Sequence, residues 1–97
     1  MDKTLNYLGI ARRSSNLVCG TDTVIKTLQA NKLYLIVLAN DASIQTKDKI
    51  IKKAFFYKVP VLDAYAYQDL LHATSLKGMV YGIDDKGLAE AIMSSRS

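Results

Sequence analysis

The sequence predicts an α/β protein, a three-layer α/β/α sandwich around a small mixed four-stranded sheet with helices on both faces. Two observations carry this. Apolar runs of strand length alternate with segments of helical periodicity along the 97 residues, and a helix stands at each end. The clearest strand, Leu33-Tyr34-Leu35-Ile36-Val37-Leu38-Ala39, is apolar without alternation, as suits a central strand covered by helices on both sides. No internal repeat or linker interrupts the pattern, so residues 1–97 read as a single domain. A hydrophobic share of 49% against 23% charged residues supplies a core and places the chain among globular rather than disordered sequences.

Taken in order, Leu5, Leu8, Gly9 and Ala11 recur at helical spacing and predict a helix over 3–12. The basic break Arg12-Arg13-Ser14-Ser15-Asn16 is either a solvated loop or the near edge of an anion site. Leu17-Val18-Cys19 is a short strand. Residues 21–30 form the second helix, with Val24, Ile25 and Leu28 on one face. After the strand at 33–39, Asn40-Asp41-Ala42-Ser43 is turn and cap chemistry. The helix it opens, over 44–57, is expected to put Ile50, Ile51, Ala54 and Phe55 on one side and Lys49, Lys52 and Lys53 on the other. That lysine group reads as a solvated face or as an RNA-backbone contact.

Val59-Pro60-Val61-Leu62 is a strand whose proline belongs at its first position or at a sheet edge. A helix follows over 65–74, then the strand Met79-Val80-Tyr81-Gly82-Ile83. The turn Asp84-Asp85-Lys86-Gly87 leads into a last helix through Leu88, Ala89, Ala91, Ile92 and Met93, and Ser94-Ser95-Arg96-Ser97 is expected to fray. Packing is the expected role for each of the six tyrosines, Tyr7, Tyr34, Tyr57, Tyr65, Tyr67 and Tyr81, although each ring could stack on a base.

Thirteen Lys and Arg against nine Asp and Glu give a net charge of +4, which favours an anionic partner such as nucleic acid or leaves solvated lysines. One cysteine and one histidine exclude an internal disulfide and a Cys/His zinc site, so no metal or other cofactor is expected. Cys19 lies in an apolar run and reads as a small buried hydrophobe. No stretch is apolar enough for a membrane span, and Met1-Asp2-Lys3-Thr4 does not open a signal peptide. A cytoplasmic, monomeric protein without membrane contact is the expectation.

The chain is organised around Gly20-Thr21-Asp22-Thr23-Val24-Ile25-Lys26. Glycine lets the backbone turn sharply and approach a ligand, because no Cβ stands in the way. Thr21 and Asp22 carry oxygens able to cap a new helix, and Lys26 falls one turn further along the Asp22 face. Free amides with a lysine beside them suit a phosphate or a base edge. The same seven residues are also those of an ordinary capped helix.

These residues resemble the ribosomal-protein L-seven-Ae/L-thirty-e family, and within it the small bacterial YlxQ-type members, over nearly the whole chain. The likeness is carried by Leu8-Gly9-Ile10-Ala11-Arg12-Arg13, by Gly20-x-Asp22-x-x-x-Lys26, and by Leu35-Ile36-Val37-Leu38-Ala39 followed by Asp41-Ala42-Ser43-x-x-Thr46. It continues in Tyr57-x-Val59-Pro60-Val61 and Asp85-Lys86-Gly87-Leu88-Ala89. The resemblance implies an α/β/α sandwich that binds structured RNA, kink-turns above all, as a ribosomal or other ribonucleoprotein component. It implies that the loop before the second helix, and that helix's first turn, enter the RNA at sheared G·A pairs. The family pattern there is Gly-x-Asn/Lys-Glu/Gln-x-x-Lys. Gly20 and Lys26 match it, Asp22 stands where an amide or lysine is usual, and Thr23 stands where Glu or Gln is usual. A second implied contact is the loop before the last strand, where Leu71-His72-Ala73-Thr74-Ser75-Leu76-Lys77-Gly78 replaces the family's Leu-Gly-x-Ala-x-Gly.

The expected function is therefore non-catalytic binding of structured RNA, possible partners being ribosomal RNA and proteins of the ribosome or the transcription–translation machinery. The expected RNA-binding residues are Arg12, Arg13, Gly20, Thr21, Asp22, Thr23, Lys26, Lys32, Leu76, Lys77 and Gly78. A protein-interaction adaptor on the same fold is the alternative. An enzyme would need a constellation the sequence lacks: Asp84-Asp85 reads as a turn, and His72 has no evident partner.

Overall fold

In the computed structural model, which describes residues 2–96, the chain runs α1 (Thr4–Arg13), β1 (Leu17–Cys19), α2 (Thr21–Gln29), β2 (Leu35–Leu38), α3 (Ile44–Tyr57), β3 (Val61–Leu62), α4 (Tyr67–Thr74), β4 (Val80–Ile83) and α5 (Lys86–Ser95). The strands form one mixed sheet in the order β1-β4-β2-β3. β4 pairs antiparallel with β1 and with β2, and β2 pairs parallel with β3. The expected mixed four-stranded sheet with helices on both faces is the one observed. One layer holds α2 against α3; the other packs α1 against α4 and α5.

The two inner strands explain the unalternating apolar runs. Every residue of Leu35–Leu38 and of Val80–Ile83 is buried, because helices cover both faces of the sheet. Each large apolar side chain so buried contributes about 1.5–3 kcal/mol. Backbone pairing continues past the strand bounds, with Tyr34 N donating to Ile83 O and Ala39 N to Met79 O. β3 lies at the edge, as its proline requires, and Pro60 O still accepts from Ile36 N at 3.0 Å. Helix boundaries follow cap chemistry. Ser43 accepts from Thr46 N ahead of α3, Asp85 accepts from Leu88 N ahead of α5, and Lys58 closes α3 in the left-handed region at φ 59°.

Four expectations need correction. Ile51 and Phe55 do not join Ile50 and Ala54 in the core; only the latter pair is buried, and Ile51 and Phe55 face outward. Lys53, assigned to the solvated side, is half-buried. The angular sector α3 turns to the sheet is narrower than its apolar composition suggests. Tyr34 is 46% exposed, whereas Tyr81 is buried and Tyr7, Tyr57, Tyr65 and Tyr67 pack against the core. The C-terminal end does not fray where it is described. Helix α5 reaches Ser95, and the Arg96 guanidinium donates to the Asp2 carboxylate at 2.6 Å; Ser97 lies outside the described residues.

Candidate nucleic-acid interface

Strands β1 and β2 end, and β4 begins, at one edge of the sheet, since Cys19 is opposite Tyr81 and Leu38 opposite Val80. Gly20 leaves that edge with φ 101° and ψ 145°, a left-handed backbone conformation that a side chain disfavours. Its N–H donates to Val80 O and its carbonyl accepts from Val24 N, both at 2.9 Å, so the turn is pinned at both ends. Gly20 itself is the N-cap of α2. No side chain caps this helix, which corrects the capping role expected of Thr21 and Asp22. The first turn of α2 thus carries amides without a side-chain cap, at the positive end of the helix dipole. Asp22 is exposed in the first turn, and Thr23 and Lys26 are exposed on the same helix. Four residues separate Asp22 from Lys26, which carries the ammonium about 6 Å further along the axis.

The loop over 75–78 lies directly against this turn. A Cβ on Gly78 would stand 2.6 Å from Cys19 Sγ and 3.4 Å from Gly20 N, so the two backbones touch only because residue 78 has no side chain. The Cys19 thiol donates to Lys77 O at 3.6 Å. Burial raises the pKa of that thiol, and a hydrogen bond with Tyr81 offsets part of the rise, so it is a neutral donor. Cys19 is half-buried rather than wholly inside. The loop is held from the other side by Thr74, whose hydroxyl donates to Leu70 O at 2.8 Å and accepts from Leu76 N at 3.2 Å. Ser75 turns the chain out of α4 at φ 60°, and the Tyr81 hydroxyl donates to Leu76 O. Burial also raises the pKa of Tyr81, which keeps that hydroxyl protonated.

Arg12 and Arg13 end α1 beside this loop. They line a shallow groove with Ser15, Ala73, Thr74 and Ser75. Gly9 permits the approach of α1 to α4, because a Cβ there would sit 3.3 Å from Ala73 O. Ten of the eleven expected residues thus occur along one edge, from Arg12 through the 75–78 loop to Lys26. Lys32 does not. It follows the far end of α2, a helix of nine residues and so about 13 Å long. Leu76 is on the edge by its backbone only, since its side chain packs on the core. Met79 is exposed next to Gly78, although in sequence it reads as the first residue of an apolar strand.

Among the described residues Arg12, Arg13, Lys26 and Lys77 take part in no ion pair, so their charge is free for an anionic ligand. No three His, Cys, Asp or Glu side chains among the described residues come together as a metal site, and no helix there is long and apolar enough to cross a membrane.

Comparison with known proteins matches residues 2–90 to the model of the ribosomal protein L7Ae/L30e/S12e/Gadd45 family. The chain is 31% identical over 88 residues to the RNA-binding protein YlxQ of Enterococcus faecium, covering 91% of this chain and 85% of the relative. It is 32% identical over 88 residues to the protein of that name in Bacillus subtilis (strain 168), covering 90% and 88%. A solved structure of a Bacillus halodurans protein of unknown function superposes with TM-score 0.92 at 31% identity, over 98% of this chain and 97% of that one. The Giardia lamblia 15.5kD RNA binding protein shares the fold, with TM-score 0.84 at 18% identity over 96% and 81%. The chain belongs to the ribosomal protein L7Ae/L30e/S12e/Gadd45 family, and it is not an enzyme.

Proposed function

We propose that this protein binds structured RNA containing a kink-turn or a related sheared G·A internal loop, and that it works in association with the ribosome or the translation machinery. Homologues named as RNA-binding proteins support the class of ligand. The observation that carries the reading is the junction of Gly78 with Cys19 and Gly20, which sets the uncapped start of α2 beside the 75–78 loop. Gly20 allows close backbone approach, the α2 amides meet a phosphate or base edge, and Lys26 reaches a guanine O6/N7 edge or a phosphate. Thr21 and Thr23 offer hydroxyls. Asp22 accepts from guanine amino and imino groups, and its charge repels phosphate from that position. Arg12, Arg13 and Lys77 neutralise the flanking backbone, which supplies most of the affinity.

The test is a salt-titrated binding assay with a kink-turn RNA and a matched duplex lacking the kink. The kinked RNA is expected to bind more tightly, and Lys26→Ala to weaken it by about 1–3 kcal/mol. Equal binding of both RNAs, visible only at low salt, would remove the kink-turn reading. The adaptor alternative draws its support from a different surface, the outward side of α3.

A further inference from the structure

The outward side of α3 carries four large apolar side chains in water: Ile44 (81% exposed), Ile51 (47%), Phe55 (85%) and Phe56 (75%). Buried Ile50 and Ala54 fix which side of the helix meets the sheet. At 3.6 residues per turn, positions seven and eleven residues after Ile44 return to within about 20° of it. Ile44, Ile51 and Phe55 therefore form one stripe along three turns, with Phe56 beside its C-terminal end and edge-on to Tyr57 at 5.0 Å between ring centres. Packing within this chain does not account for such a stripe, and contiguous exposed apolar patches mark interaction sites.

Charge gives the stripe a partner. Residues 44–58 hold five lysines, Lys47, Lys49, Lys52, Lys53 and Lys58, against the single acid Asp48. That surplus of four equals the net charge of +4 of the whole protein, so the rest of the chain is balanced. Lys47 flanks the stripe on one side and Lys52 on the other, Lys52 resting 3.0 Å from Asp48. The surface is thus apolar at Ile44 and again from Ile51 to Phe56, with the exposed Asp48–Lys52 pair between them and lysines along its margins.

We propose that this face of α3 docks an acidic amphipathic helix of another protein, with apolar residues laid along Ile44, Ile51 and Phe55 and carboxylates against the flanking lysines. Helix recognition uses apolar anchors at this repeat, and the charge pattern sets partner choice and speeds encounter. Two of the three stripe residues are aliphatic, and isoleucine offers no flat ring for a base to stack on, which disfavours single-stranded RNA as occupant. A second copy would set one surplus of positive charge against another. The Phe55 end of the surface is the part distant from the RNA edge: α3 begins after β2, at the end of the sheet where Gly20 lies, and Phe55 is about three turns away.

The test uses the full chain and a fluorescein-labelled synthetic helical peptide, leucines on one face and glutamates on its flanks, read by fluorescence anisotropy. A scrambled isomer, an oligouridylate and phosphatidylserine vesicles serve as competing probes. The amphipathic peptide is expected to bind, the scrambled isomer not, and Phe55→Ser to weaken binding about tenfold or more, with a smaller loss in Lys52→Glu. Phe55 is so exposed that the variant keeps its fold, checked by an unchanged thermal melt and unchanged kink-turn RNA binding. Equal binding of both peptides, absence of binding, or indifference to Phe55→Ser overturns the proposal. So does Phe55-dependent capture of the oligouridylate or vesicles in place of the peptide, or self-association that Phe55→Ser abolishes.

Discussion

Gly20 and Gly78 lie against each other for opposite reasons. Around Gly20 there is open space, and glycine is required by the backbone, at φ 101°. Gly20→Ala creates no clash but stores strain of about 1–3 kcal/mol, so a lower melting temperature is expected in a calorimetric scan. A parent-like melt would show that the turn relaxes freely. Gly78 has the reverse constraint, with Cys19 Sγ 2.6 Å from its virtual Cβ. Gly78→Ala is expected to destabilise, and Cys19→Ala to offset part of that loss by removing the sulfur. The double variant should therefore melt above the temperature that additivity of the two single effects gives. Strict additivity would mean that Gly20 N, 3.4 Å away, is the contact that matters. Gly20 is legible in sequence because its turn is local. Gly78 is not, because its partner is some sixty residues upstream, and spacing along the chain says nothing of a contact made across the sheet.

At the scale of elements, Asp2 ties three helices together. Its carboxylate accepts from Thr4 N at 2.9 Å and from the Thr4 hydroxyl at the start of α1, from the Tyr65 hydroxyl ahead of α4, and from Arg96 at the end of α5. The Thr4 hydroxyl, then Tyr65 and the Thr4 amide, and lastly Arg96 favour the charged form, lowering the Asp2 pKa to about 2 against a small desolvation effect. A carboxylate with a depressed folded-state pKa stabilises above its unfolded value near 3.8, and that stabilisation is lost as pH falls toward about 2. The group is partly exposed, so the contribution is at most about 1 kcal/mol. Asp2→Asn should melt lower than the parent at neutral pH, with the gap closing between pH 4 and pH 2. A gap independent of pH would assign the effect to shape rather than charge. The nine elements themselves were legible from apolar periodicity and from Ser43 and Asp85 as caps. The clamp was not, since Asp2, Tyr65 and Arg96 meet only after the fold has closed, and for the same reason the last residues of α5 read as a fraying tail.

At the scale of the molecule, total charge and binding edge separate. The net +4 pointed toward nucleic acid, yet the surplus is confined to residues 44–58, and the proposed RNA edge draws on a few cations that lie apart from it. The motif at Gly20–Lys26 gives the proposed edge a position in the sequence, whereas net charge gives none, because a sum over the chain carries no position. Lys32 shows the limit of the motif. Six residues after Lys26 in sequence, it lies past the other end of α2, about 13 Å along the helix from the β1–α2 turn. The slope of log affinity against log salt counts the phosphates a protein neutralises, so it distinguishes the two kinds of cation. Arg13→Ala should reduce that slope by about one for the kink-turn RNA, and Lys32→Ala should leave both slope and affinity as they are in the parent. Were Lys32→Ala instead to shift the slope as much as Arg13→Ala, the RNA would have to run the length of α2. The footprint would then follow the α2–α3 layer rather than the sheet edge, and the surplus on α3 would belong to the RNA after all.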